Sequence, residues 1–163
     1  MSMKDEDFAS MPLDELRTER DSLRAEEDAV SFVRRLAQGR VDLVAAVRAH
    51  RESDGTGSVA DIIRSGVGSA PSTGSSRPPR DTEVAADHPL MEEFESLSDR
   101  LGFDDMVELD LEALTELGRG LADFEGQMSA RRRELFDRID ALTAELVRRY
   151  RDGDASVDSL LQG

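Results

Sequence analysis

Residues 27–42 read EDAVSFVRRLAQGRVD, and their spacing decides the fold. Val30, Val33 and Ala37 recur three and four residues apart, while Glu27, Ser31, Arg34, Gln38 and Asp42 are spaced four, three, four and four apart. Both sets follow the period of an α-helix that carries an apolar stripe and a polar face beside it. Outward from this stretch, Leu16, Leu23, Val30, Ala37 and Val44 recur every seventh residue, and Val33, Leu36, Leu43 and Val47 widen the stripe. Pro12 sits where a helix can start, because its missing N–H costs nothing in the first turn, and Ser10 before it is a candidate cap. Gly39 is the only glycine before Ser53-Asp54-Gly55 ends the pattern. Residues 12–52 are therefore expected to form one long amphipathic helix.

A second stripe passes through Leu114, Leu121, Met128, Leu135 and Leu142, with Phe124, Ile139, Leu146 and Val147 filling its face. It predicts a long helix over 109–151, closed by Gly153 after the cations Arg148, Arg149 and Arg151. Gly118, Gly120 and Gly126 weaken its early turns. Residues 53–108 form the linker. Its centre, 66–80, is rich in Gly, Ser and Pro and is expected to be disordered. Val59–Ile63 has room for a helical turn or two. Pro89–Leu101 predicts a short amphipathic helix using Leu90, Met91, Phe94, Leu97 and Leu101, stopped by Gly102. The tail, 152–163, is expected to fray, with Val157, Leu160 and Leu161 available to dock. Each long helix spans about 60 Å and leaves an apolar stripe that needs a partner of equal length. The expected architecture is a single all-α domain in which the two pair as an antiparallel coiled coil.

Composition narrows the function. The 163 residues include no Trp, one Tyr and six Phe, and 35% of them are charged, which favours long, partly exposed helices over a sandwich or barrel. A formal net charge of -15 argues against nucleic acid and against an anionic membrane, since both need clustered Lys and Arg. It suits a protein partner with a basic face. The absence of cysteine removes disulfides, thiolate zinc sites and cysteine nucleophiles. No apolar run reaches membrane-spanning length, and the opening MSMKDED is not a signal peptide, so the expected location is the cytoplasm. His50 and His88 have no ligand-spaced neighbours, so no metal site is expected. Neither a nucleophile elbow nor a phosphate-binding glycine loop is present, and the chain does not read as an enzyme or as a carrier of a catalytic cofactor.

The polar face is repeated. Glu125, Ser129, Arg132, Phe136 and Asp140 follow the spacing of Glu27, Ser31, Arg34, Gln38 and Asp42, offset by 98 residues and in the same heptad phase. With the helix midpoints aligned, Arg34 falls level with Arg132, Glu27 near Asp140 and Asp42 near Glu125. Facing arginines repel by roughly 1 kcal/mol even in water. Such an arrangement calls for a two-fold ligand that is anionic at its centre and carries hydrogen-bond donors at its ends. Cyclic di-GMP has two central phosphates, with guanine N1–H and N2–H groups for carboxylates and O6/N7 for arginine.

The spacing Glu-x3-Ser-x2-Arg-x3-Gln-x3-Asp, complete from Glu27 to Asp42, resembles the signature of the RsiG family of actinobacterial anti-sigma factors. The resemblance covers both long helices, roughly half the chain. It implies that two copies of the motif, one per helix, hold two molecules of cyclic di-GMP as a regulatory ligand. It further implies that the protein sequesters a flagellar/sporulation-type sigma factor similar to WhiG and so represses transcription. The residues it assigns to the ligand are Glu27, Ser31, Arg34, Gln38, Asp42, Glu125, Ser129, Arg132 and Asp140. Phe136 departs from the motif, since it neither donates nor accepts as glutamine does. It either stacks on a guanine face or belongs to the core.

Arg131-Arg132-Arg133 is expected to face an anion. Residues 81–125 hold fifteen Asp and Glu against only Arg100 and Arg119, and are read as facing a basic surface of the sigma factor, with Leu90, Phe94 and Leu97 as anchors. A monomer is expected, because both motif copies lie on one chain. The alternative reading is an acidic coiled-coil adaptor or scaffold with no nucleotide ligand.

Overall fold

A computed structural model of the chain describes residues 5–53 and 88–153. These are all-α: a 3-10 turn, Asp5–Ser10, precedes helices α1 (Leu13–Glu52), α2 (Pro89–Arg100) and α3 (Leu111–Asp152). The expected turn at 59–63, the Gly/Ser/Pro-rich centre at 66–80 and the docking tail residues lie outside the described residues. Among the described residues, no helix is long and apolar enough to cross a membrane, and no group of three His, Asp or Glu is placed to hold a metal ion. The chain forms two compact units, Met1–Asp28 with Arg131–Gly163, and Ala29–Ala130.

In the first unit the start of α1 lies against the end of α3. Leu16 and Leu23 are buried, as are Leu135, Ile139, Leu142 and Leu146. Glu19 pairs with Arg138 at 3.0 Å and Glu26 with Arg131 at 2.7 Å, so partner numbers fall as residue numbers rise, an antiparallel order. Arg149 does more than end a helix. It is buried, its Nη2 donates to the carbonyls of Phe8 and Ala9 at 3.0 Å each, and its Nε donates to Glu145 at 2.8 Å. These bonds fasten the 3-10 turn to α3, and Phe8 is buried beneath it.

The second unit adds α2. Val30, Val33, Ala37, Val44 and Val47 of α1 are buried, as are Leu114, Leu117, Leu121, Phe124 and Met128 of α3. Each of these except Ala37 contributes about 1.5–3 kcal/mol when fully buried. Phe94 of α2 is also buried, and its ring stacks on Phe124 with centroids 5.4 Å apart. Arg40 occupies a stripe position, seven residues after Val33. Its guanidinium lies 4.5 Å from the ring centroids of both Phe94 and Phe103 and donates to both oxygens of Glu95 at 2.8 and 2.9 Å. A cation in the apolar stripe is tolerated because aromatic faces and a bidentate carboxylate take up its charge.

Local chemistry sets the ends of the helices. Pro89 opens α2, and His88 Nδ1 accepts from the Leu90 amide at 3.2 Å, which gives this histidine a capping role. Gly102, at φ 77°, closes α2, with the Phe103 amide returning to the Ser98 carbonyl at 3.0 Å. Asp110 caps α3 through the Ala113 amide at 2.8 Å. Arg51 donates to the carbonyls of Val107 and Leu109, fixing the turn between α2 and α3. A Cβ at Gly120 would stand 2.6 Å from Leu101 Cδ1, so glycine permits that close approach.

Three expectations about packing need correction. Leu36 and Val147 are exposed and do not belong to the stripe, because a helix buries only a limited arc and both lie beyond it. On α2 it is Ser98, not Leu97, that is buried with Leu90 and Phe94, its hydroxyl satisfied by the Phe94 carbonyl at 2.9 Å. Leu90 and Phe94 therefore sit in the protein's own core and are not exposed anchors for a partner.

Candidate functional site

The repeated motif lies where α1 and α3 face one another, and each compact unit holds part of it. In the second unit, Arg34 Nη1 donates to Glu125 Oε1 at 3.1 Å. The same oxygen accepts from Ser129 Oγ at 2.8 Å. Gln38 Oε1, one turn on from Arg34, accepts from Arg34 Nη1 at 3.4 Å. Arg34 is 23% exposed and Glu125 27%, and the Arg34 Nε is buried with no hydrogen-bond partner. Ser31 is half-buried, and Asp42 is exposed.

The first unit repeats the pairing with the helices' roles exchanged. Here α3 supplies the arginine: Arg132 Nε donates to Glu27 Oε1 at 3.1 Å. One turn on, the Phe136 ring stands where the first copy has Gln38, and the Arg132 guanidinium lies 4.7 Å from its centroid. Phe136 is 39% exposed, so it is not a core residue. Both copies thus pair arginine with the glutamate of the opposite helix and steady it from the next turn, by an amide oxygen in one copy and by a ring face in the other. Asp140 is exposed.

This geometry overturns the expected charge pattern. Arg34 meets Glu125, seven residues before Arg132, and Glu27 meets Arg132 rather than Asp140. A displacement of seven residues is one heptad, so the apolar stripes remain opposed while different charges come together. Facing arginines and grouped carboxylates are replaced by two ion pairs of the same kind, the electrostatically cheaper arrangement. The arginine run follows the same logic: Arg131 pairs with Glu26 and Arg132 with Glu27, while Arg133 is exposed.

Chemically, each copy offers a guanidinium with a carboxylate beside it. That pair can recognise an anion and an N–H donor together. Arg40 and Arg149 were not singled out from sequence as structural cations. For Arg40 the signal was available, a charge at a stripe position. For Arg149 the sequence shows a cation at the helix end and a glutamate four residues before it, but nothing in it points to the carbonyls of Phe8 and Ala9, more than a hundred residues away.

No curated protein matches the chain. A family model described as RsiG-like matches residues 3–66 and 102–163, which include both motif copies. The chain belongs to the RsiG-like family.

Proposed function

We propose that this protein is an anti-sigma factor whose long helices form an antiparallel coiled coil that binds cyclic di-GMP and sequesters a WhiG-like sigma factor. The observation that carries this reading is the pair of matching cross-helix contacts, Arg34 with Glu125 and Arg132 with Glu27, in a chain of the RsiG-like family. Binding proceeds by exchange. Each arginine trades a carboxylate for a phosphate, and each glutamate trades a guanidinium for the N1–H and N2–H of a guanine. Before binding each arginine neutralises a glutamate, so the ligand-free helices are not forced apart by like charges; afterwards the phosphate neutralises the arginine, and the glutamate keeps its charge while accepting the guanine N–H bonds. Gln38, Asp42, Ser31, Ser129 and Asp140 complete the polar face around these pairs.

One observation favours the second reading, a scaffold without a nucleotide. Both motif arginines already have carboxylate partners within the chain. Calorimetric titration of the full chain with cyclic di-GMP separates the two readings, since a scaffold gives no binding heat. Sigma-factor affinity is then measured with and without saturating nucleotide, in the wild type and in Asp42→Ala plus Asp140→Ala. If nucleotide tightens sigma binding, sigma must tighten nucleotide binding by the same factor. Equal sigma affinity in all four cases means that the nucleotide is not a switch.

A further inference from the structure

Four glycines interrupt α3 and α1 within the second unit, and they divide into two kinds. Gly120 is required by Leu101, whose Cδ1 stands 2.6 Å from where a Cβ would be, and a Cβ at Gly118 would touch Val44 at 3.5 Å. Gly39 and Gly126 have no such neighbour: a Cβ at either would meet nothing within 4 Å among the described residues. Both are exposed, and both lie inside long helices, where glycine is among the least favourable residues. Neither adopts a positive φ. Among the described residues, nothing in the packing or backbone accounts for them.

Their places on the helices do. Gly39 lies three residues before Asp42, and Gly126 lies three before Ser129 and directly after Glu125. A helical side chain leans toward the N-terminus over the turn that precedes it. Asp42 therefore extends over the bare backbone at Gly39, and Ser129 over that at Gly126. We infer that Gly39 and Gly126 are positioning residues for the ligand: they keep the outer rim of the motif face open, so that a bulky planar group can approach Asp42, Glu125 and Ser129 closely. This deepens the proposed function and rests on it.

The test sets stability against binding. Gly39→Ala and Gly126→Ala should each raise Tm by about 2–4 °C, through helix propensity alone. Each should also weaken cyclic di-GMP binding, measured by calorimetry, by about tenfold, the loss expected for one charge-assisted hydrogen bond. Gly126→Gln is as helix-favouring as most residues but longer, and it should weaken binding further than Gly126→Ala. If the alanine variants are stabilised and bind like the wild type, the inference is overturned. It is also overturned if alanine and glutamine weaken binding equally, because that points to stiffening of the helix and not to occupied space. If wild type itself does not bind the nucleotide, the proposed function fails and the inference falls with it.

Discussion

The one-heptad displacement has a thermodynamic signature in a double-mutant cycle on Arg34 and Glu125. The two groups are 3.1 Å apart and each is about three-quarters buried. At an effective dielectric constant near 20, unit charges about 4 Å apart attract by about 4 kcal/mol, an upper bound. Partial exposure and the ordering of two long side chains reduce this to about 1 kcal/mol of coupling. The single variants should be unequal. Glu125→Ala leaves both Arg34 and the Ser129 hydroxyl without their shared acceptor, whereas Arg34→Ala leaves Glu125 still bonded to Ser129. Glu125→Ala is therefore expected to be the more destabilising. Urea unfolding of wild type, both single variants and the double variant measures the cycle, provided the dependence on denaturant is unchanged among them. Were Arg34 level with a second arginine, Arg34→Ala would stabilise the protein by relieving repulsion. A stabilised Arg34→Ala, or a coupling of zero, refutes the register. The matching cycle on Glu27 and Arg132 should give less, because Arg132 is 39% exposed.

Two further outcomes follow from particular residues. Hydrogen bonds from Arg148, then from Arg149, hold the Glu145 carboxyl down from its usual 4.5 to about 2. Because the folded value lies below the unfolded one, Glu145 stabilises the fold above about pH 4.5 and loses that contribution as pH falls toward 2; Glu145→Gln should flatten this acid limb in a plot of Tm against pH. Gly102 sits at φ 77°, where any side chain is strained, so Gly102→Ala should cost about 1–2 kcal/mol and lower Tm, opposite in sign to alanine at Gly39 or Gly126.

The helices were legible because hydrophobic period is a strong and local signal. Leu16 through Val44 and Leu114 through Leu142 recur every seventh residue, and all ten are buried. The short helix at Pro89 was legible from its proline, its apolar spacing and Gly102. The motif residues were found through spacing and repetition, which fix a face of a helix. Register was not legible. A heptad repeat is degenerate under a shift of seven residues, so the stripes match equally well with Arg34 facing Arg132 or Glu125. Cross-helix charge decides between them, and the favourable pairing is Glu19 with Arg138, Glu26 with Arg131, Glu27 with Arg132 and Arg34 with Glu125. Arg40 was missed because a charge at a stripe position reads as a break in the stripe until the rings of Phe94 and Phe103 and the Glu95 carboxylate are placed around it.

The departure at Phe136 takes on a different meaning in the folded chain. Gln38 steadies Arg34 by accepting one of its N–H groups, a bond that a phosphate bound there would have to share or displace. Phe136 steadies Arg132 through its ring face, which attracts the charge without engaging an N–H donor. The guanidinium is held at a similar position on the helix in both copies, but by a contact that does not compete with an anion in one of them. The proposed exchange at Arg132 would therefore have one fewer hydrogen bond to replace than that at Arg34. The glutamine-to-phenylalanine change preserves the placement of the cation while removing a competitor for it. For the proposed ligand, it lowers what the motif can donate without removing the arginine to which anion recognition is assigned.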